Sequence, residues 1–440
     1  LGKCDGTLKK SIFNEQDSIS LENLISWLVI ALIAGFTGAC LVRFFDVLIE
    51  LMHRGISHTP IPLVFWPVIG ALGVGGIIYR IREEASGEGI PGYIQGIVYH
   101  QGDLNFSTTV MKFLAALLTL GTLGNGGIIG PLGRVSAGIG SSVEKKLHTY
   151  FNICDIRTGA ISGMAAVVGA VFHTSIGGGI FAVEIIRKAE LRYRDIFPAV
   201  LSSTTAVYVC KAFGWESFYQ INAVNQFMDV EMIWGVLLVA ALAGLAGRFY
   251  TSFYRKISSF FGRERNNLLL AKVLVGSAVA SVLAWVVNPE LMGTSRNLIA
   301  RVFHQQDLTV FGQTLETVPL GLVFLLFIAV KAAANDITVG SGMSAGFTGP
   351  AAIIGILLGA VGACVFQLSP GTANYYAFMA AGFSGMLASS MNIPLAAAII
   401  TLESFGLQYS FPAGIAAIVG FQMTRHATIY SYAYKNIDDR

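Results

Sequence analysis

Long stretches of this chain carry no Asp, Glu, Lys or Arg. The uncharged, mostly apolar windows run 23–42, 61–79, 113–133, 158–183, 196–210, 232–247, 273–289, 317–330 and 404–424. A further window runs unbroken from 337 to 402. A helix needs about 20 such residues to cross the hydrocarbon of a bilayer, so the long window must hold at least two or three passes. The pattern predicts an all-α, multi-pass membrane protein. The windows are uneven and broken by Gly and Pro, which predicts helices that stop partway, inside protein or beside a water-filled cavity. Charged runs at 80–84, 144–146, 187–194, 255–265 and 301–307 are expected in loops or at helix ends.

Composition sharpens this. Hydrophobic residues make up 54 % of the chain and charged residues 12 %, about half the usual charged share of a soluble domain. A soluble enzyme is excluded, and so is a nucleic-acid binder, which needs clustered Lys and Arg. A net charge of +3 selects no partner. Cys4, Cys40, Cys154, Cys210 and Cys364 have no metal-ligand spacing and read as small apolar residues. No metal site is expected. The polar segment 1–20 lacks a signal-peptide pattern and is expected to form a surface helix.

The two halves match at one constant offset. Lys112 pairs with Lys331, Pro131 with Pro350, Gly163 with Gly382, Ser175 with Pro394, and Glu184 with Glu403. The expected division is a first membrane repeat over 21–225 and a second over 226–440, with no C-terminal soluble domain. Duplicated membrane halves are typical of transporters, whose binding site lies near the midplane between them.

Three short motifs share a design: GEGIP (87–91), GIIGP (127–131) and GFTGP (346–350). Each ends in a Pro that can open a helix. A helix start leaves N–H groups unpaired at the positive end of its dipole. Several starts aimed at one point would hold an anion without a full positive charge, and so without trapping it.

With these motifs, the run TIYS at 428–431 and the Lys112 spacing, residues 25 to 434 resemble the CLC chloride channels and chloride/proton exchangers. The resemblance implies an inverted repeat of about eighteen helices, several of them re-entrant or broken. It implies homodimers in a lipid bilayer, of the plasma membrane or a bacterial inner membrane, with a separate pore in each subunit. Chloride would be the transported ion and no cofactor is implied. The anion would be held by Gly87, Glu88, Gly89 and Ile90 of the first motif, Ile128, Ile129 and Gly130 of the second, Phe347 and Thr348 of the third, and the hydroxyl of Tyr430.

Three departures bear on mechanism. The family's gating glutamate falls on Ile129, or on Leu132 if the frame is shifted. Its proton-relay glutamate falls on Ile185, next to Glu184. Neither residue can carry a proton, so passive anion conduction is expected rather than standard proton exchange. The family's central serine is Glu88. Desolvation would favour the neutral form of a carboxyl there, and a helix N-terminus would favour the ionised form. Three readings stay open: a relocated gate that occupies the anion site and leaves on protonation, a structural cap, or a mark of a changed substrate. Anion selectivity is not legible; fluoride ranks low.

Smaller features have plain readings. Lys112 and Lys331 would snorkel to the interface or line a vestibule. The Thr348 hydroxyl would hold an anion or satisfy a carbonyl. His173 is expected to be buried with a hydrogen-bonded ring, and Glu184 and Glu403 to form ion pairs or caps. Rival functions are a proton-coupled exchanger using Glu88, a non-conducting anion sensor and, remotely, an intramembrane serine hydrolase. The last rests on the GxSxG match at 342–346, which needs a preceding strand and a base such as His173 or His426.

Overall fold

The computed structural model describes residues 21–434 except 81–82, 152–155, 187–190, 220, 222, 263–267, 305–308, 315–318 and 426–427. The segment 1–20 and His426 therefore lie outside the described residues. Seventeen α-helices are described, and the only paired strands among the described residues are Thr309–Val310 and Gln313–Thr314. Five helical segments are long and apolar enough to cross a membrane: Ile25–Ser57, Val230–Gly262, Leu269–Val287, Leu320–Gly340 and Thr348–Val365. Others are apolar but short, as the interrupted windows predict: Phe106–Gly121, Arg157–Phe172, Ser175–Glu184 and Pro394–Phe405.

The distribution of side chains is that of a protein solvated by hydrocarbon. Leu28, Phe44, Leu72, Trp234, Phe249, Val275, Leu322 and Ile418 face outward, while Glu88, Lys112, Lys331 and Asp336 are buried. Lipid gives no drive to bury apolar side chains, whereas an ionisable group facing it is costly.

Helices α5 (Ile129–Phe151) and α6 (Arg157–Phe172) pack together, as do α13 (Thr348–Val365) and α14 (Ala373–Met391). A Cβ on Gly163 would collide with the Ser136 backbone, and a Cβ on Gly382 with the Gly355 backbone. The same contact therefore recurs at the repeat offset, at a crossing only a small residue permits. Helices α6 and α14 also end alike, on His173 and Asn392 in the left-handed region, φ 55° and 66°. This corrects the reading of His173. It is half-buried, its Nε2 has no hydrogen-bond partner, and its place is a helix C-cap.

Glu184 and Glu403 cap helices of the opposite half. Glu403, on α15 (Pro394–Phe405), accepts from the N–H groups of Ser175, Ile176 and Gly177 at the start of α7 (Ser175–Glu184), at 3.1, 3.1 and 2.8 Å. Glu184, at the end of α7, accepts from Leu395 and Ala396 at the start of α15, at 3.1 and 2.7 Å. A carboxylate at a helix start satisfies orphan donors and meets the positive end of the dipole. One charged run proves to lie within a helix. Glu144 sits on α5, is buried, and accepts from the Gly159 N–H at 2.5 Å, so the missing helical partner at the entry to α6 draws a charge into the interior.

Candidate anion site at the meeting of three helix tips

The three Gly-Pro motifs each open a helix: α3 (Ile90–Tyr99), α5 and α13. Two of them touch. Gly127 and Gly346 form an isolated antiparallel bridge, each N–H donating to the other's carbonyl at 2.8 Å. Two helix starts from opposite halves are thus tied back to back. A Cβ on Gly127 would stand 2.8 Å from the Gly349 nitrogen, so the approach requires glycine.

The third motif delivers Glu88 to this junction. Its Oε2 accepts from the Ile90 N–H at 2.6 Å, across the start of α3. Its Oε1 accepts from the Tyr430 hydroxyl at 3.4 Å. The Phe347 N–H, at the tip of α13, lies close to the same carboxyl. A Cβ on Gly130 would collide with Oε1. One carboxylate thereby bonds to α3 and to the residue ahead of α17 (Ser431–Tyr434), and lies against the tips of α5 and α13. Glu88 is 7 % exposed, and Ile90, Ile129, Phe347, Thr348 and Tyr430 are fully buried. Ile128 and Ile185 are each 1 % exposed. The sequence-predicted residues of all three motifs and Tyr430 therefore meet, and Ile185, the cap of α7, belongs to a different helix end.

Charge-assisted hydrogen bonds contribute about 1.5–3 kcal/mol each, and desolvating an ion costs several kcal/mol. The Ile90 N–H and the Tyr430 hydroxyl are donors of the kind that offset that cost for the Glu88 carboxylate. Lys112 adds to them from behind. It lies on α4 (Phe106–Gly121), and its Nζ donates to the carbonyls of Ala85, Ser86 and Gly87 at 3.2, 3.1 and 2.5 Å. Lys331, on α12 (Leu320–Gly340), donates to Leu291 and Gly293 carbonyls at 3.1 and 2.8 Å and to the Ser295 hydroxyl at 2.7 Å. Neither lysine snorkels. Both turn inward because a backbone loop offers each of them a ring of carbonyls.

A cavity of about 630 Å³ opens onto Glu88 and is bordered by Ser86, Gly89, Lys112, Arg134 and Tyr254. A second, of about 400 Å³, is lined by Arg43, Asp46, Glu50, Phe218 and Arg296 among others. Both cavities mix basic groups with carboxylates: Glu84 and Asp103 also line the first, and in the second Arg296 pairs with Asp46 and Glu50 at 2.8 and 3.0 Å.

Sequence reasoning missed Tyr219, Tyr250 and Asp336. Tyr250 lies on α9 (Ile233–Gly262), accepts from the Asn335 amide at 2.7 Å, and stands within electrostatic reach of Glu88 and Asp336. Asp336 is fully buried on α12 and neither carboxyl oxygen has a hydrogen-bond partner. It stands immediately before the uncharged window 337–402, and that placement was its one available signal. The hydrolase reading fails on geometry. The segment before Ser344 is helix α12 rather than a strand, and the Ser344 hydroxyl is buried with no hydrogen-bond partner.

Comparison with known proteins agrees with this geometry. A family profile described as "Voltage gated chloride channel" matches residues 70–425. An uncharacterized protein of Methanocaldococcus jannaschii is 25 % identical over 419 residues, covering 93 % of this chain and 96 % of that protein. An H(+)/Cl(−) exchange transporter of Citrobacter koseri is 24 % identical, covering 88 % of this chain and 82 % of that one. Among solved structures, a CLC-type fluoride/proton antiporter superposes with a TM-score of 0.79 at 20 % identity, covering 94 % of this chain and 98 % of that one. A slow cyanobacterial Cl−/H+ antiporter gives 0.77 at 18 %, covering 96 % and 99 %. Proteins of this kind are multi-pass membrane channels and transporters of anions, chloride above all, rather than enzymes, and this chain belongs to their family, the voltage-gated chloride channel (CLC) family.

Proposed function

We propose that the protein carries small anions, chiefly chloride, passively through a pore built around the meeting of the three helix tips, and that Glu88 is its gate. One observation carries this reading. The Glu88 carboxylate stands among the Ile90 and Phe347 N–H groups and the Tyr430 hydroxyl, the donors that a chloride ion in the same place would use. A carboxylate there imitates the ion and excludes it. A structural cap would need only the Ile90 N–H; the further donors from α13 and Tyr430 favour the gate.

Anion ligands in this reading are Gly87, Glu88, Gly89 and Ile90, then Ile128, Ile129 and Gly130, then Phe347, Thr348 and Tyr430. Gating belongs to Glu88 because Ile129, in the place of the family's gating glutamate, cannot ionise. Ile185, in the place of the proton relay, offers no onward step. The protein works in a lipid bilayer as a homodimer, with repeats over 21–225 and 226–440.

The pH dependence has a definite sign. The ionised carboxylate holds its donors and repels chloride. Protonation removes the charge and weakens those bonds, so anion flux rises as pH falls. The titratable groups facing Glu88 are Lys112, Tyr430 and Tyr250. Lys112, whose charge holds the carboxylate in place, is fixed by three carbonyls.

A second reading is proton-coupled exchange through Glu88. It is favoured by the relative named an H(+)/Cl(−) exchange transporter. Chloride efflux from liposomes separates the two. Efflux that needs valinomycin to carry compensating charge, rises as pH falls, and loses its pH dependence in Glu88→Gln supports the gate. Uphill proton movement driven by a chloride gradient supports exchange. An unchanged pH profile in Glu88→Gln removes Glu88 from gating, and no efflux at any pH leaves the anion sensor.

A further inference from the structure

The outer wall of the helix bundle is not evenly filled. Between α9 and α12, over a floor of α13 and α14, lies an apolar groove of about 600 Å³. It exists because small residues line it: Ala246 on α9, and Ala329, Ala332 and Ala333 on α12. Larger side chains there would close the gap. Ile354 and Met386 form the floor and are buried, while Phe249 and Leu325 stand at the rim, 67 % and 45 % exposed.

The groove has a direction. Along α9 its lining runs from Leu242 to Lys256, about 21 Å of helix. One leaflet supplies half of a hydrocarbon core about 30 Å thick, so the groove is long enough for the whole depth of one leaflet. It ends where α12 closes on α9: a Cβ on Gly340 would stand 2.7 Å from the Ile257 side chain. At that end Lys256 is the one charged residue among the described residues of the wall. It is exposed, and no described carboxylate pairs with it. The sequence stays basic beyond it, with Arg263 and Arg265 against Glu264.

The same stretch of α9 touches the pore. Tyr250 lines the groove, and its hydroxyl accepts from the Asn335 amide. Tyr250 and Tyr254 meet the Phe347 ring edge-on, with centroids 6.0 and 4.5 Å apart. Arg255 donates to the Thr428 carbonyl and the Ser431 hydroxyl, on either side of Tyr430, at 3.3 and 2.9 Å.

We propose that the groove binds one anionic phospholipid from the leaflet at the Lys256 end, with an acyl chain along α9 and the phosphate at the Lys256 ammonium, and that this lipid braces α9 against the pore. The chemistry matches at both ends. An acyl chain is flexible and apolar throughout, as the walls require, and the phosphate accepts from an ammonium that has no carboxylate of its own. A net negative headgroup is favoured over a zwitterionic one, whose cationic group would meet Lys256 and the basic run with like charge. The lipid site stands without the pore reading; its effect on flux rests on that reading.

The experiment reconstitutes the protein in vesicles of equal parts phosphatidylglycerol and phosphatidylcholine, extracts it again in mild detergent, and counts the lipid retained per protomer by mass spectrometry. Wild type should retain phosphatidylglycerol in severalfold excess over phosphatidylcholine. Ala333→Phe, which fills the groove, should retain severalfold less of both. Lys256→Gln, at an exposed position that leaves the fold alone, should lose the preference for phosphatidylglycerol. Leu322→Phe, facing outward on α12 beyond the groove, should behave as wild type. Chloride efflux from wild type should be severalfold faster in vesicles containing phosphatidylglycerol than in phosphatidylcholine alone, and equal in the two for Lys256→Gln. Surface charge does not produce that rise, because an anionic surface lowers the local chloride concentration. Retention in Ala333→Phe equal to wild type, or no headgroup preference in wild type, overturns the site. So does altered association of protomers in Ala333→Phe with retention unchanged, which gives the groove to a second copy of the chain. Bound lipid with equal wild-type efflux in both vesicles overturns the brace. Efflux absent from both overturns the pore reading and leaves the lipid count to decide the site.

Discussion

Two loops, one in each half, are built to the same plan and end in different chemistry. In the first, Lys112 holds the carbonyls of Ala85, Ser86 and Gly87. In the second, Lys331 holds those of Leu291 and Gly293. Gly87 and Gly293 both have φ of 61°, a backbone state that favours glycine. Each donates its N–H across to the other half, Gly87 to the Gly342 carbonyl at 3.1 Å and Gly293 to that of Leu123 at 3.0 Å. Leu123 and Gly342 are themselves related by the repeat offset, as Lys112 is to Lys331. The residue that follows is Glu88 in the first loop and Thr294 in the second. The clamp is therefore a scaffold common to both halves. The carboxyl it delivers to the three helix tips belongs to one half alone.

The widest separation should come from the lysines. Lys331→Met removes a charged donor from the Leu291 and Gly293 carbonyls, the Ser295 hydroxyl and the Asn125 amide oxygen, while the Ser295 hydroxyl and the Gly126 N–H still donate to those two carbonyls. Lys112→Met takes the lysine donor from the Ala85, Ser86 and Gly87 carbonyls, at about 1–3 kcal/mol each. Both should lower the thermal midpoint in detergent by several degrees or abolish folding. Among molecules that do fold, Lys112→Met alone should also change the pH profile of flux, because only its loop carries the carboxyl. An altered profile in Lys331→Met and a normal one in Lys112→Met would break the distinction.

Next in size is the pair Glu88→Gln and Thr294→Val. The first should flatten the rise of chloride flux toward low pH; the second should leave that rise as in wild type. Gly130→Ala sharpens the point without touching the carboxyl. Its Cβ would claim the space of Oε1, which is also the place of the ion, so flux should fall at neutral and at low pH alike. Flux that stays at the wild-type level would place the ion elsewhere.

The smallest effect compares the crossed caps. Glu403→Ala removes the acceptor for three N–H groups and Glu184→Ala for two. Each should cost about 1–2 kcal/mol, with the Glu403 variant melting lower and neither changing the pH profile. Equal melting would show that the third bond contributes nothing.

Much of the frame was legible in the sequence. The uncharged windows pointed to a multi-pass helical membrane protein, and the constant offset between halves aligned helix crossings, caps and two of the three motifs. The Gly-Pro pattern located the helix starts because Pro and Gly have local, residue-specific consequences. What was not legible depends on partners distant along the chain. The loop at Gly293 has no Pro close behind it, and its separation from Gly87 is shorter than the repeat offset, so a search at that offset passes over it. The lysine clamps need carbonyls from separate loops, and a lysine beside an apolar run looks the same whether it snorkels or turns inward. Tyr219 sits in a connection with no motif, and packing on Phe172 places its hydroxyl beside Gly349 at the start of α13. Glu88 was visible as an anomaly, but its role needed the positions of Ile90, Phe347 and Tyr430.

The most direct test is to look for the ion itself. Crystals of wild type at high pH and of Glu88→Gln, both soaked in bromide, should differ at one place when anomalous scattering is measured. A bromide peak among the Ile90 N–H, the Phe347 N–H and the Tyr430 hydroxyl in Glu88→Gln, with the carboxylate in that place and no peak in wild type, is the expected result. A bromide at that position beside an undisplaced Glu88 carboxylate, or no bromide there in either protein, would contradict it.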